Sequence, residues 1–297
     1  MISSQSYGSL NIVSTPIGNL EDITIRAIRI LNEVDFILCE DKRVTIKLLN
    51  KYKIKTKLIS FHKFNESTLL DEVVNSLKSG KNIALVSDAG TPLISDPGGS
   101  LIKAATENNI KVVSIPGASS LTAAFSLCPY KTDEFLYLGF LPKEKGKRTK
   151  IILKLCDRAK NILLFIAPHD LNKYLNEISG VYPEVNVFYA REITKIYEEN
   201  WSGKIKDLIL ITKEKKIKGE IVLILNFDSS PKQNNSISNE SLLQEINDLI
   251  TSGISLKEAS KNVSKKYDLS GKYLYDLYIK NKKNGMKRKA GLINPAC

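Results

Sequence analysis

Three loops rich in glycine, proline and hydroxyl side chains hold the residues with the clearest chemical use. They are Thr15-Pro16-Ile17-Gly18-Asn19, the long stretch from Ser87 through Asp88, Ala89, Gly90, Thr91 and Asp96 to Gly99, and Pro116-Gly117-Ala118-Ser119-Ser120. Glycine lets a backbone approach a ligand closely, and proline fixes a turn. The long loop carries two carboxylates, Asp88 and Asp96, and neither lysine nor arginine. Such a cradle repels a phosphate unless a metal intervenes; it suits ribose hydroxyls, an ammonium or a sulfonium. The sequence contains no G-x-x-x-x-G-K-[ST], which excludes a P-loop. No G-x-G-x-x-G follows a predicted strand, which disfavours both the usual dinucleotide fold and the Rossmann-type methyltransferases. Proline–glycine clusters also punctuate α/β folds without binding anything, and it is three of them at strand ends that favours a site.

A second constellation is Glu40-Asp41-Lys42-Arg43, at the predicted end of the second strand. A carboxylate there can act as a general base, and Arg43 can hold a phosphate bidentately. The plainer alternative is a surface ion-pair cluster that caps the following helix. His62, after the third predicted strand, is either a contact to a bound partner or a packed or surface histidine. Four cysteines, Cys39, Cys128, Cys156 and Cys297, stand far apart beside only two histidines. That spacing offers no zinc site and fits the reduced thiols of a cytosolic protein, so no metal is expected.

The elements that must position these residues are read from apolar runs. Strands are predicted over Leu10–Ser14, Val34–Cys39, Lys57–Ser60, Ile83–Ser87 and Val112–Ile115, with amphipathic helices between them. Continuous apolar runs alternating with helices imply right-handed crossovers and a mainly parallel sheet covered on both faces. The three loops would then meet at the carboxyl ends of the strands. A second set of strands covers Glu134–Leu138, Asn161–Ala167, Val185–Ala190 and Glu220–Asn226, with the charged stretch Leu141–Gly146 read as a mobile loop. The expected organisation is one α/β domain over 1–130, another over 131–228, a polar linker over 229–240, and a helical tail over 241–297. Three short helices fill the tail in a helix-turn-helix-like arrangement.

At 297 residues the chain has room for two domains. Its charge is +12, with 44 Lys and Arg against 32 Asp and Glu. The excess collects in two patches, over Lys143–Lys160 and over Ser241–Cys297, which suit a polyanion, nucleic acid before membrane. Tyrosines 267, 273, 275 and 278 would stack on unpaired bases or simply pack a core. The apolar runs are far too short for a spanning helix and the first residues form no signal core, so a soluble cytoplasmic protein is expected.

Several motifs carry a resemblance. Leu10–Ile23, Cys39-Glu-Asp-Lys-Arg43, Ala84–Gly98, Ile115-Pro-Gly-Ala-Ser119, Gly139-Phe-Leu-Pro142, Ala190–Lys195 and Lys218-Gly-Glu220 follow one another in order. With them the chain resembles the ribosomal RNA small subunit methyltransferase I family of tetrapyrrole-methylase-like (class III) methyltransferases. The resemblance implies two α/β domains of the tetrapyrrole-methylase type with a small helical C-terminal appendage. It implies 2′-O-methylation, from S-adenosyl-L-methionine, of a cytidine ribose in the decoding region of 16S rRNA. It also implies a homodimer with 16S rRNA or the 30S subunit as partner, and the cofactor in the cleft between the domains. Carried over onto this sequence, the cofactor-binding residues are Pro16, Ser87, Asp88, Ala89, Thr91, Ser119 and Ser120, joined by Phe165, Ile166, Ala167, Gly219 and Glu220. By their place after the second predicted strand, and not by carry-over, the catalytic candidates are Glu40, Asp41 and Arg43. At 165–169 the family carries an acidic residue where this chain has Ile166, so any contact there would run through the backbone. Two alternatives stay open: a small-molecule methylase of the same fold, acting on tetrapyrrole-like substrates, and a non-catalytic RNA-binding protein.

Overall fold

Uninterrupted apolar tetrapeptides set the centre of the first sheet. Every residue of the strands Phe36–Cys39 and Ile83–Val86 is buried, as a sheet covered on both faces requires. The computed structural model describes residues 7–213, 215–227, 239–267 and 271–290. Positions 228–238, which hold most of the predicted linker, lie outside the described residues, as do Ser270, the end of the tail over 291–297, and Cys297 within it.

In the first sheet the strands are β1 (Ser9–Val13), β2 (Phe36–Cys39), β3 (Lys57–Ser60), β4 (Ile83–Val86) and β5 (Lys111–Ile115). The helices between them are α1 (Ile25–Glu33), α2 (Lys42–Lys51), α3 (Glu66–Lys78) and α4 (Gly99–Glu107), and α5 (Ser120–Leu127) follows. All pairings are parallel, in the order β3-β2-β4-β1-β5. On one face Leu10, Leu38 and Leu85 pack against Val73 and Leu77 of α3 and Leu101 of α4. On the other, Val13, Ile37 and Val86 meet Ala27 and Leu31 of α1 and Leu48 and Leu49 of α2. The loops after β1, β4 and β5 follow three adjacent strands, β4-β1-β5, so one edge of the sheet carries all three.

The second sheet contains β6 (Phe135–Phe140), β7 (Asn161–Ile166), β8 (Asn186–Arg191), β9 (Glu199–Lys204) and β10 (Ile221–Asn226), in the order β6-β7-β10-β8-β9. Only β6 and β7 run parallel; the other pairs are antiparallel. Its outer face is covered by α6 (Lys145–Ile152), α8 (Leu171–Val181) and α9 (Ile205–Lys213), with the short α7 (Leu155–Arg158) beside them. Its inner face, through Leu163, Phe188, Val222 and Ile224, packs on Ala124 of α5 and on Ile17. The two sheets therefore share a core at the place where the loops converge.

Two expectations are corrected here. Strand β9 was not predicted: its polar sequence Glu-Asn-Trp-Ser-Gly-Lys has no apolar run, because it is an edge strand with a half-exposed face. The stretch Leu141–Gly146 is not loop throughout, and it is anchored. Leu141 is buried, α6 begins at Lys145, and the fully buried Arg148 donates from Nη1 to the carbonyls of Pro142 (2.9 Å) and Lys143 (2.7 Å). The rest of its guanidinium forks onto Glu177, from Nε at 2.6 Å and from Nη2 at 2.7 Å. Arg148 thereby leaves the surface charge of the Lys143–Lys160 patch.

Residues 1–230 form one compact unit and 231–297 a second. The second contains α10 (Asn239–Thr251), α11 (Leu256–Tyr267) and α12 (Gly271–Ala290), around Leu242, Ile246, Ala259, Val263 and Leu274. The Ser255 hydroxyl accepts from the Glu258 N–H at 3.3 Å, which gives one half of a capping box. Tyr278 packs on this core and donates to Asn247 Oδ1 at 3.1 Å, whereas Tyr273 and Tyr275 are exposed. Among the described residues no helix is long and apolar enough to cross a membrane.

Candidate methyl-donor cavity

The loops after β1, β4 and β5 are tied to one another through backbone and hydroxyl contacts. Thr15 and Gly90 exchange backbone hydrogen bonds of 2.9 and 3.0 Å, and Thr15 Oγ1 donates to the Ser87 carbonyl at 3.2 Å. Thr91 Oγ1 lies 3.0 Å from Ser14 Oγ and donates to the Ala118 carbonyl at 3.2 Å. At Gly117 a Cβ would stand 2.8 Å from Ser14 Cβ, so only glycine permits this approach.

Below these loops lies a cavity of about 420 Å³, walled on one side by the loops and on the other by the second sheet. Of the twelve cofactor candidates read from the sequence, ten line it: Asp88, Ala89, Thr91, Ser119, Ser120, Phe165, Ile166, Ala167, Gly219 and Glu220. Pro16 and Ser87 do not. Both are buried, and the Ser87 hydroxyl turns back to the carbonyls of Ala89 (3.2 Å) and Gly90 (3.4 Å). Ile166 points its side chain into the outer core of the second sheet, so its backbone is what it offers the cavity. Phe165, its neighbour along the strand, faces the other way, edge-on to Tyr137 and Phe140 at 5.2 and 5.7 Å.

The Gly219–Glu220 turn is held by charge. Glu192 Oε1 accepts from the Glu220 N–H at 2.9 Å and from Lys195 Nζ at 2.8 Å, and Lys195 reaches Glu220 Oε2 at 3.2 Å. Gly219 has φ +88°, and a Cβ on it would collide with the Glu192 side chain at 2.3 Å. The Ala190–Lys195 and Lys218–Glu220 motifs are thus two parts of one support.

Asp96, Ser95, Ile17, Phe140 and Val222 also line the cavity and were not among the twelve. The signal for Asp96 was present, as the second carboxylate of the long loop. Phe140 and Val222 needed the second sheet's geometry. Burial and then the charge of Glu40 push the Asp96 carboxyl up to about 6. Burial chiefly raises Asp88 too, against a hydrogen bond of 3.0 Å from the Asp41 N–H to its Oδ1.

Glu40, Asp41 and Arg43 do not line the cavity; they sit one strand away, after β2. Asp41 caps α2, accepting from the Arg43 N–H at 2.8 Å, and its carboxylate is forked by the Arg43 guanidinium. Those hydrogen bonds hold its carboxyl at about 2. Glu40 behaves differently: burial and the charge of Asp88 raise it. The plainer reading, a helix-capping ion pair, describes Asp41 and Arg43 but not Glu40.

The lining contains three carboxylates, several apolar side chains, and neither lysine nor arginine. This fits a cationic ligand that also presents hydroxyls and an apolar ring. Among the described residues no cluster of histidine, cysteine or carboxylate side chains is arranged to hold a metal ion.

Comparison with known proteins gives this cavity a context. The family model for tetrapyrrole (corrin/porphyrin) methylases matches residues 9–209. The ribosomal RNA small subunit methyltransferase I of Synechocystis sp. is 38% identical over 279 residues, covering 94% of this chain and all of that protein. The chain belongs to that methyltransferase family. A relative of the same name from Thermotoga maritima is 43% identical over 219 residues, 98% of its own length but 74% of this chain. Among solved structures, diphthine synthase aligns with a TM-score of 0.60 at 14% identity, over 74% of this chain and 90% of that one. The uroporphyrin-III-C-methyltransferase of Thermus thermophilus aligns at 0.52 and 18%, over 74% and 94%. These two show the fold alone. Methyltransferases of this family use S-adenosylmethionine, and the acidic, lysine-free cavity fits that donor's sulfonium and ammonium groups.

Proposed function

We propose that the chain methylates the 2′-hydroxyl of a cytidine ribose in the decoding region of 16S rRNA. The observation that carries the reading is full-length similarity to proteins named for small-subunit rRNA methylation, together with a cavity whose charge suits the methyl donor. The choice of ribose over base, and of cytidine, rests on the family resemblance.

When bound, S-adenosylmethionine supplies a methyl carbon activated by a sulfonium. Asp88 and Asp96 would face its cationic groups and ribose hydroxyls. Ser119 and Ser120, at the N-terminus of α5 where Ser119 makes no side-chain cap, offer donors to its carboxylate. Backbone groups of Ala89, Ala167 and Gly219, all in the lining, would hold it, and Phe165, Phe140 and Ile17 would keep water out.

Between the two carboxylates after β2, Glu40 is the better general base. A base works best when its proton affinity approaches the operating pH, and Glu40 is raised while Asp41 is held low by Arg43. Glu40→Gln should lower kcat by about 10²–10⁴-fold and leave cofactor affinity nearly unchanged.

The deciding experiment supplies labelled donor with 30S subunits, naked rRNA or a tetrapyrrole, followed by mass spectrometry of the nucleosides. A 2′-O-methylcytidine supports the reading; a methylated base, or transfer to the tetrapyrrole alone, overturns it. The resemblance also supports a homodimer in the cytoplasm, which light scattering would test through the particle mass. We assign the second unit to RNA positioning, on its +6 charge over 241–297 and its own apolar core. Nearly the whole Thermotoga relative matches only three-quarters of this chain, which supports an accessory role for the remainder. Ending the chain at Ser230 should preserve cofactor affinity and flatten the salt dependence of RNA binding by about 0.7–0.9 in log–log slope per lost phosphate contact.

A further inference from the structure

The strand order β4-β2-β3 sets three loops side by side along the carboxyl edge of the parallel sheet, leading from the cavity to the sheet's rim. Asp88 follows β4 and lines the cavity, Glu40 follows β2, and Phe61-His62-Lys63-Phe64 follows β3. The Phe61 N–H donates to the Cys39 carbonyl at 2.8 Å, so the rim loop extends the ladder directly beside Glu40. Two strand spacings, roughly 10 Å, separate the strand of Asp88 from that of His62.

This rim loop is braced from within. Asn65 Oδ1 accepts from the His62 N–H at 2.7 Å, and Asn65 Nδ2 donates to the Ser60 carbonyl at 2.9 Å. Phe61 anchors the loop in the core, whereas the side chains beyond it have little internal use. Phe64 is 91% exposed, its ring edge-on to His62 at 6.1 Å. His62 Nδ1 is shut off from solvent with no hydrogen-bond partner among the described residues, so the ring is set for a partner that arrives with some rearrangement of the loop. Across the edge, the Arg43 side chain is 90% exposed and engages Asp41 through Nε and Nη2 and not through Nη1. Lys63, within the rim loop, is exposed as well.

An aromatic face, an unpartnered ring nitrogen and cations, next to a raised carboxylate and the donor cavity, match the parts of one nucleotide. We infer that the His62–Phe64 loop, with Arg43, is the subsite for the acceptor nucleotide of the RNA substrate. Phe64 stacks on an unpaired base, His62 hydrogen-bonds it, and Arg43 takes the adjoining phosphate, which leaves the ribose toward Glu40 and the cavity. This rests on the RNA-methylation reading above and specifies where its substrate sits.

The test uses the full chain, labelled donor and 30S subunits, with kcat and KM for the particle measured beside the calorimetric Kd for S-adenosylmethionine. Phe64→Ala should raise KM for the particle by about tenfold, with Phe64→Trp close to wild type and cofactor Kd within about twofold in both. His62→Ala should also raise KM, while His62→Gln, which keeps a polar group there, should raise it less. Phe64 is too exposed for its loss to unfold the chain, so a null result is readable. If the wild type methylates RNA and Phe64→Ala leaves KM unchanged, the subsite is refuted alone. It is equally refuted if Phe64→Ala changes the particle mass in light scattering and not KM, which would make the ring a contact between copies. If the wild type binds the donor and methylates no RNA, the functional reading itself fails and the subsite with it.

Discussion

The loop wall of the cavity is acidic and closed by backbone latches, whereas the wall from the second sheet is apolar but for Glu220 and is braced by ion pairs. On the first, Asp88 and Asp96 face the space, and Thr15, Gly90, Thr91 and Ala118 lock the loops together. Leu93 and Ser95 are both held at φ +75°, a left-handed conformation costing non-glycine residues about 1 kcal/mol or more each. On the second, Phe140, Phe165 and Val222 present surface, supported by the Arg148–Glu177 and Lys195–Glu192 pairs, and Glu220, itself in the lining, is the further partner of Lys195. The first wall can discriminate by charge and the second by shape. Their supports should fail in different ways.

The largest effect is expected behind the apolar wall. Arg148→Ala removes a fully buried guanidinium from Glu177 and frees the Pro142 and Lys143 carbonyls next to Phe140. Breaking such a pair costs about 3 kcal/mol, at the lower end of the usual range because Glu177 keeps some solvent contact. A lowered urea midpoint with an unchanged m-value would register it. Arg148→Met combined with Glu177→Leu should lose less, since neither charge is then left unpaired. If the single variant is as stable as wild type, the clamp does not hold this wall.

Next comes the acidic wall. Asp88→Ala should weaken S-adenosylmethionine binding by about 1.5–3 kcal/mol, the worth of one charged hydrogen bond. Calorimetry on a folded variant with unaltered affinity would remove Asp88 from the site. Phe165→Ala tests the opposite wall and should cost less affinity, about 0.5–1.5 kcal/mol, the worth of one aromatic contact from this lining ring to the ligand's own ring. An equal loss from the two substitutions would undo the distinction between charge and shape.

The same contrast explains what was legible in the sequence. The loop wall follows strands that are continuous apolar runs, such as Ile83–Val86, so its position and its carboxylates could be read directly. Pro16 and Ser87 lie in the right segments, yet both are buried and the Ser87 hydroxyl is spent on loop carbonyls, and a motif does not reveal which of its residues face a ligand. The far wall depends on pairings between distant strands. Strand β9 has no apolar period, and Phe140 reaches the cavity from a strand whose register shifts between Tyr137 and Gly139. Arg148 counted as one more lysine-like charge in a basic patch, because nothing local shows that Glu177 will meet it.

The smallest effect, and the sharpest on mechanism, is one of pH. Asp96 is raised to about 6, above its unfolded value, so the folded apo-protein holds that proton more tightly than the unfolded chain does. The stability from this group is fully present below the unfolded value and is lost as pH rises through about 6. Cofactor affinity should run the other way, because a cationic ligand favours the ionised carboxylate. Between pH ~5 and ~7 affinity should rise, with a slope of at most about one decade per pH unit from this group. Asp96→Asn should flatten most of that rise and leave a residue from Asp88 and Glu40, whose carboxyls are raised as well. Calorimetry across this range separates the outcomes. A wild-type profile without slope would mean that the loop wall does not recognise its ligand by charge, and a slope retained in Asp96→Asn would move the titration to Asp88 or Glu40. Only a slope that disappears with Asp96 assigns the cation to the end of the long loop, opposite Phe165 and away from the Glu192–Lys195 support.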